Sequence, residues 1–385
     1  MGSWSKKPLG NRWLRLLFTV SRFLGVSPPS SKYRQVHLAW SISLLSWIWF
    51  VCISLLVFKS QMQVVAIEKL LYLIEYPSNM IITAIFSLYV YRSESFFKSQ
   101  TQQQLSLQAL LFENAWTAQQ YHNQLGDYVL KLLLMVFAFH GSCVIIDILW
   151  MNFDVVYTLY SNCAHNLVGL MISLSLLQYV LALRGICLLQ QQLNVRLEQV
   201  QPIHNHVCIL SSSSAEFECK LEQLRSLAVA LDDMHSQLLR RFGIVFMVSF
   251  VNSLLSFCYE LFNVFRILEQ AQWEEWLLFV YRLLWLLMHG LRVWSVLIGN
   301  ARIAEQKCQL ILRLNKLQLE DTRQERAVNH FLVQLQTSDV CPSTACGVVD
   351  LDTLAVGGFI SALSAIVIFL IQIDLGNKSL MGYSF

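Results

Sequence analysis

Ionisable side chains inside long apolar stretches are the residues of this sequence best suited to do chemistry. Five of them fall in the outer half of their predicted helices, namely Glu75, Asp147, His165, Glu260 and Arg282. An ionisable group in such a stretch is costly to bury, so it is usually paired or lies on a path for ions or ligands. If the stretches that hold Glu260 and Arg282 form an antiparallel hairpin, the two side chains lie at similar depth and could form an ion pair. The alternative is two separate structural charges, with Arg282 reaching for the membrane surface.

Aromatic residues and histidines accompany these charges. The side chains predicted to line a ligand pocket are His140, Asp147, Tyr160, His165, Tyr281 and Trp285. Aromatic walls with a few convergent polar groups are typical of small-molecule sites. Two alternatives stay open, namely histidines that are hydrogen-bonded within the core and aromatic residues that anchor the chain at the membrane interface.

Catalytic and cofactor motifs are missing from the sequence. It contains no GxSxG, HExxH, P-loop or Rossmann fingerprint. Cys341 and Cys346 have no second pair of ligands for zinc. Asp147 and Glu260 could supply paired acids for intramembrane hydrolysis, but no local motif supports that role. We therefore expect no enzyme, no cofactor and no metal site.

Seven apolar stretches are long enough to cross a membrane. The 385-residue chain is 55% hydrophobic and only 14% charged, whereas soluble domains carry about 25% charged residues. A span needs roughly 20 apolar residues. The predicted spans are 38–58, 70–91, 129–150, 155–182, 242–265, 276–299 and 353–373. The sequence therefore predicts an all-α polytopic membrane protein with seven transmembrane helices.

The distribution of basic residues predicts the orientation of these helices. Most of the 28 lysines and arginines precede the first span or follow the second, fourth and sixth. Under the positive-inside rule this side is cytosolic, so the N-terminus is cytosolic and the C-terminus is extracellular. That orientation is the reverse of a G-protein-coupled receptor. The net charge of +3 is too small for a nucleic-acid partner.

The long segments on the basic side are predicted to be helical. Apolar residues recur every three or four positions in 183–241 and 300–338, which is the period of a helix with one buried face. We expect helical extensions into the cytosol that pack on each other or on neighbouring subunits. Amphipathic helices lying on the membrane surface are the alternative.

The last span and its approach resemble the C-terminal signature of insect gustatory receptors. The approach reads ACGVVDLD over residues 345–352, and an apolar run in the span ends at Gln372. Three positions depart from the family pattern, since Ala365-Ile366 replaces its Thr-Tyr pair and Ile373 replaces its final Phe. Sugar-sensing members carry a Glu directly after the Tyr, where this chain has Val367. The resemblance therefore favours the bitter or orphan branch over the sugar receptors.

The resemblance implies a ligand-gated, non-selective cation channel in the plasma membrane of chemosensory neurons. Such a channel is a homo- or hetero-tetramer of related subunits, with one last helix per subunit lining the pore. Ala365, Phe369 and Gln372 share one face of that helix, so four copies would form an apolar constriction below a polar ring. The alternative is that Gln372 only reaches interfacial water. The expected partners are a small-molecule tastant, membrane lipid, related subunits and permeating cations.

Five regions follow from these expectations. They are a basic cytosolic arm (1–37), six transmembrane helices with a ligand pocket in their outer half (38–299), a cytosolic helical anchor region (300–352), a pore-lining last helix (353–373) and an extracellular tail (374–385). The expected ligand is a small uncharged or amphipathic compound rather than a sugar. A seven-helix receptor of the G-protein-coupled or odorant-receptor type and a small-molecule transporter are the alternative functions.

Overall fold

The chain folds into a bundle of long helices. A computed structural model describes residues 10–28, 34–61, 66–151, 154–200, 213–269, 276–317, 322–338, 344–345, 349–351 and 355–382. Its helices are α1 (Gly10–Phe23), α2 (Arg34–Gln61), α3 (Ala66–Arg92), α4 (Glu94–Leu111), α5 (Ala115–Trp150), α6 (Val155–Ser161), α7 (Leu167–Val200), α8 (Ser213–Glu269), α9 (Trp276–Asn315), α10 (Thr322–Ser338) and α11 (Ala355–Gly382). A π-helical segment, Asn162–Asn166, joins α6 to α7. The one strand pair of the described residues is β1 (Thr344–Ala345) with β2 (Val349–Asp350), which are antiparallel.

Seven helical segments of the described chain are long and apolar enough to cross a membrane. They are Arg34–Phe58, Leu73–Arg92, Ala115–Trp150, Val155–Val200, Glu216–Glu269, Trp276–Asn315 and Ala355–Gly376. Each contains or overlaps one predicted span, so the predicted seven-helix membrane fold is confirmed. Cys341, Cys346 and the last residues of the predicted tail lie outside the described residues.

Four helices, α5, α7, α8 and α9, are much longer than a membrane span. Helix α8 has 57 residues, which corresponds to about 85 Å at 1.5 Å per residue, whereas the hydrocarbon core is about 30 Å thick. Parts of α7, α8 and α9 therefore extend beyond the membrane and pack together with α10. We call residues 183–200, 213–241, 300–317 and 322–338 the extension bundle.

The predicted apolar stripes form the core of the extension bundle. Leu221 and Leu231 of α8 and Ile303 and Leu310 of α9 are buried in one continuous cluster. Asp232 and Lys307 form an ion pair at 2.7 Å beside it. Since both stripes face each other, these segments are helices packed on one another, as the 3.6-residue period predicts.

The basic arm contains a helix that the sequence analysis does not predict. In α1, Leu17 and Ser21 are fully buried, so the arm is docked on the bundle rather than extended from it. Gly25 follows α1 with a φ of 71°, in the left-handed region that glycine adopts without strain. A Cβ there would lie 3.0 Å from Ser41 Oγ. The turn that ends α1 therefore depends on this glycine.

Candidate functional site

A cavity of about 460 Å³ lies between the membrane-spanning helices. Its lining includes Asn252 to Glu260 of α8 and Leu278 to Arg292 of α9, so it lies at the end of these helices opposite the extension bundle. The remaining walls come from α2, α3, α5, α6, the π-helical segment, α7 and α11. The volume lies within the range of roughly 300–1,000 Å³ that is usual for small-molecule sites.

Four of the six predicted pocket residues line this cavity, namely Asp147, His165, Tyr281 and Trp285. His140 lies behind the wall, where its ring centroid is 6.0 Å from that of Trp285 and its Nδ1 is 3.0 Å from Asn166 Oδ1. Tyr160 packs against the apolar core and is not among the lining residues. These two residues could act on a ligand only through their neighbours.

Glu260 and Arg282 meet across the α8–α9 hairpin. Arg282 Nη1 donates to both carboxylate oxygens of Glu260, at 3.0 and 3.2 Å, and Arg282 Nη2 lies 3.4 Å from the Tyr259 hydroxyl. The side chain of Glu260 is only 8% exposed and that of Arg282 only 17% exposed. The two residues therefore form a largely desolvated ion pair in the cavity wall.

A second polar contact of the lining joins Glu75 of α3 to His165 of the π-helical segment. His165 Nδ1 lies 2.9 Å from Glu75 Oε1. The π-helical turn adds one residue to the helix and thereby changes the direction in which the following side chains point. The sequence marks both residues as costly ionisable groups, but the helical period of 3.6 residues does not predict their contact.

Arg292 of α9 lies at the deep end of the cavity and is only 4% exposed. Its Nη2 donates to the Gly169 carbonyl at 2.7 Å and to Ser173 Oγ at 2.9 Å, and its Nε donates to Ser173 Oγ at 3.0 Å. Nη1 lies 3.4 Å from His289 Nδ1. Neither Arg292 nor His289 is among the predicted site residues. An arginine within the predicted span 276–299 is the signal that could have found them.

Gly169 allows α9 to approach α7 closely. A Cβ at this position would lie 2.7 Å from Trp285 Cη2 and 3.2 Å from Arg292 Nη2. The Gly169→Ala variant is therefore expected to lose about 1–3 kcal/mol of stability through overpacking, measured as a lower melting temperature of the purified protein.

Gly141→Ala is the matched control, because a Cβ at Gly141 would meet nothing within 4 Å. This variant is expected to gain about 0.5–1 kcal/mol, since alanine favours a helix over glycine. Equal shifts of the melting temperature in the two variants would contradict the close packing at Gly169.

Helix α11 presents two different faces. Ile366 and Leu370 line the cavity, and Leu370 also packs near the buried Phe262 of α8. The predicted pore residues Ala365, Phe369 and Gln372 lie on the other face and are exposed, with Phe369 at 59%. One helix therefore borders the cavity and also offers an apolar surface that its own subunit leaves uncovered.

The fold and the cavity define a polytopic α-helical membrane protein with a ligand-sized, partly charged site between its spans. The family described as 7tm chemosensory receptor matches residues 14–377. The chain is 38% identical over 387 residues to gustatory receptor 59e of Drosophila melanogaster, covering 96% of each chain. It is 25% identical to gustatory receptor 59f of the same species, covering 96% of this chain and 88% of that one. The chain therefore belongs to the insect gustatory receptor family of seven-transmembrane chemosensory receptors.

Solved structures share the fold. The insect olfactory receptor OR5 from Machilis hrabei in complex with eugenol matches with a TM-score of 0.69 and 13% identity, covering 94% of this chain and 98% of that one. The same receptor in a second structure matches over the same shares with a TM-score of 0.63. At this identity the similarity establishes the fold. The resemblance to insect gustatory receptors that the last span suggests is confirmed by the family match and by the similarity to gustatory receptor 59e.

Proposed function

We propose that this receptor is a subunit of a tetrameric, ligand-gated, non-selective cation channel that detects small molecules other than sugars. The observation that carries the proposal is that one face of α11 lines the cavity while another face is exposed. Ile366 and Leu370 line the cavity, so a ligand bound there would contact them, and the same helix exposes Phe369 on a different face, about 100° around the axis from Leu370. A shift of α11 caused by the ligand would therefore move the exposed face as well.

The exposed face of α11 has the composition of a gated pore. No residue in the most apolar part of this helix is buried within the subunit, so lipid or other subunits cover it. Four copies around a central axis would place Phe369 rings at a constriction that excludes water, with Gln372 one turn away as a polar ring. Dry apolar constrictions are a known means of gating. Assembly from identical or from related subunits satisfies this geometry.

The proposed orientation has the N-terminus in the cytosol and the C-terminus outside the plasma membrane of a chemosensory neuron. The excess of basic residues in the extension bundle and the arm supports it. In this orientation the cavity lies in the outer half of the membrane, where tastants arrive. The extension bundle then lies in the cytosol and provides the anchor region between subunits.

Two observations support a ligand other than a sugar. Val367 stands where sugar-sensing members of the family carry Glu, and the cavity wall includes the aromatic residues Tyr281 and Trp285. The structurally similar receptor OR5 binds eugenol, a small aromatic compound. An aromatic wall interacts well with ligands of that size and polarity.

Calcium imaging of transfected cells tests the function. The receptor carries an epitope at each terminus, and a panel of sugars and of bitter and aromatic compounds is applied. We expect calcium entry with a non-sugar compound, labelling of the C-terminal epitope on intact cells and labelling of the N-terminal epitope only after permeabilisation. A response to sugars alone, or an externally labelled N-terminus, would contradict the proposal.

A further inference from the structure

The deep end of the cavity contains a buried cation that no carboxylate neutralises. In the described part of the chain, the hydrogen-bond partners of Arg292 are the Gly169 carbonyl, the Ser173 hydroxyl and the His289 imidazole. None of these groups carries a negative charge that could balance the guanidinium. A charge buried without a counter-ion is strongly unfavourable, and inside a membrane span such a residue usually marks a functional site.

The acids that line the cavity have other partners. Glu260 is bound by Arg282, Glu75 is bound by His165, and Asp147 lies beside the Tyr281 hydroxyl. Arg282 precedes Arg292 by ten positions on α9, or about 15 Å along the axis at 1.5 Å per residue. The cavity therefore has one end where acids and bases alternate and a deep end where only a cation is present.

The guanidinium at the deep end is held in a fixed position with donor capacity left over. Nε donates a hydrogen bond to Ser173 Oγ, and Nη2 donates to Ser173 Oγ and to the Gly169 carbonyl, at distances of 2.7 to 3.0 Å. Nη1 carries two hydrogens, and its one contact in the described residues is the long one of 3.4 Å to His289. Nη1 can therefore donate a strong hydrogen bond to an acceptor that enters the cavity.

The surroundings of Arg292 fit an acid with an apolar body. The guanidinium carbon lies 5.9 Å from the ring centroid of Trp285, and this ring belongs to a cluster with Phe139 and Tyr281. Gly169 leaves the space that the side chains of Trp285 and Arg292 occupy, since a Cβ at this position would collide with the indole. An apolar wall thus lies directly beside the positive charge.

We propose that Arg292 is the anion-binding residue of the ligand cavity and that the receptor binds amphipathic organic acids, with the carboxylate on Arg292 Nη1 and the apolar body against Trp285. This proposal rests on the cavity being the ligand site of the proposed function. A bound carboxylate neutralises the buried charge and forms a charge-assisted hydrogen bond, which is roughly twice as strong as a neutral one. The corresponding alcohol gains only the neutral bond, and the corresponding amine is repelled.

Binding to the purified receptor tests the acid preference without any current measurement. The full-length protein in lipid nanodiscs is titrated with two matched series of ligands. The first series is hexanoate, hexanol and hexylamine; the second is phenylpropanoate, phenylpropanol and phenylpropylamine. Affinity is taken from the rise in melting temperature with concentration. We expect the acid of at least one series to bind about tenfold more tightly than its alcohol, with the amine weakest. No preference for the acid in either series overturns the proposal.

Variants assign the preference to Arg292. Arg292→Gln is expected to weaken acid binding by about tenfold and to leave alcohol binding within about twofold. Lys131→Gln is the matched control, because Lys131 is a basic residue of a membrane-spanning helix with an exposed side chain. An equal loss of acid binding in both variants would overturn the assignment. The wild-type comparison decides the proposal even if Arg292→Gln does not fold.

The two proposals fail in different ways. Tight binding of the acid without any current in cells would leave the anion site in place and remove the channel function. Ligand-evoked current in a receptor that binds acids no more tightly than alcohols would keep the channel function and remove the anion site.

Discussion

Replacing Phe369 with Ala is expected to raise the current of the ligand-free receptor several-fold. The Phe369 side chain is 59% exposed on the face of α11 that points away from the cavity. If four such rings close the pore, the constriction stays dry because apolar rings do not replace the hydration shell of an ion. Alanine at this position would widen the constriction and allow water to enter it. The measurement is the basal current under voltage clamp, divided by the amount of receptor at the cell surface.

Leu370→Ala is the matched control for the pore face. Leu370 lies next to Phe369 in the sequence but lines the cavity and packs near Phe262. Its truncation is expected to weaken packing and ligand response without opening the channel. Gln372→Ala should change ion preference or conductance, because it removes a polar group that can substitute for hydration. A Leu370→Ala receptor that conducts without ligand, beside a silent and well-expressed Phe369→Ala receptor, would place the pore on the other face.

Glu260→Gln is expected to destabilise the receptor by about 3–5 kcal/mol, the usual cost of leaving one member of a buried ion pair unpaired. Both carboxylate oxygens of Glu260 accept hydrogen bonds from Arg282, and the carboxylate side chain is only 8% exposed. The Gln side chain keeps the shape and removes the charge. The loss of stability is measured from the thermal unfolding of the purified receptor, monitored by size-exclusion chromatography.

Two comparisons test whether the destabilisation comes from the unpaired charge rather than from a change in side-chain shape. The double variant Glu260→Gln with Arg282→Gln should recover most of the stability, since no buried charge is left unpaired. Glu198→Gln breaks an ion pair with Arg313 of the same 3.0 Å length, but there the side chains are 56% and 32% exposed. That variant should lose less than about 1 kcal/mol. Losses of similar size at the two pairs would show that burial does not set the cost.

The sequence predicts the membrane fold well because two simple patterns determine it. Runs of about 20 apolar residues specify the spans, and the helical period in 183–241 and 300–338 specifies the extension bundle. The sequence also offers the contact between Glu260 and Arg282 as one of two alternatives, because an antiparallel hairpin places residues at similar depth when they lie at similar distances from its loop. These features depend only on local composition and chain direction.

The remaining features of the site depend on contacts between distant parts of the chain. Glu75 of α3 meets His165, which lies in the π-helical turn at residues 162–166. Arg292 of α9 lies close to Gly169 of α7, where a Cβ would come within 3.2 Å of its Nη2. The amphipathic helix α1 lies within a basic segment whose charges hide its apolar face from a hydropathy scan. Neither composition nor helical period carries this information.

The proline-free helix α8 has a mechanical consequence. It runs without interruption from Phe217 in the extension bundle to Glu260 in the cavity wall, a distance of about 65 Å at 1.5 Å per residue. Pivoted at one end, a rod of this length amplifies a tilt of about 3° into a displacement of about 3 Å at the other. A ligand that spreads the cavity by less than the width of an atom could thus act through a lever arm on the extension bundle, where the proposed channel would have its contacts between subunits.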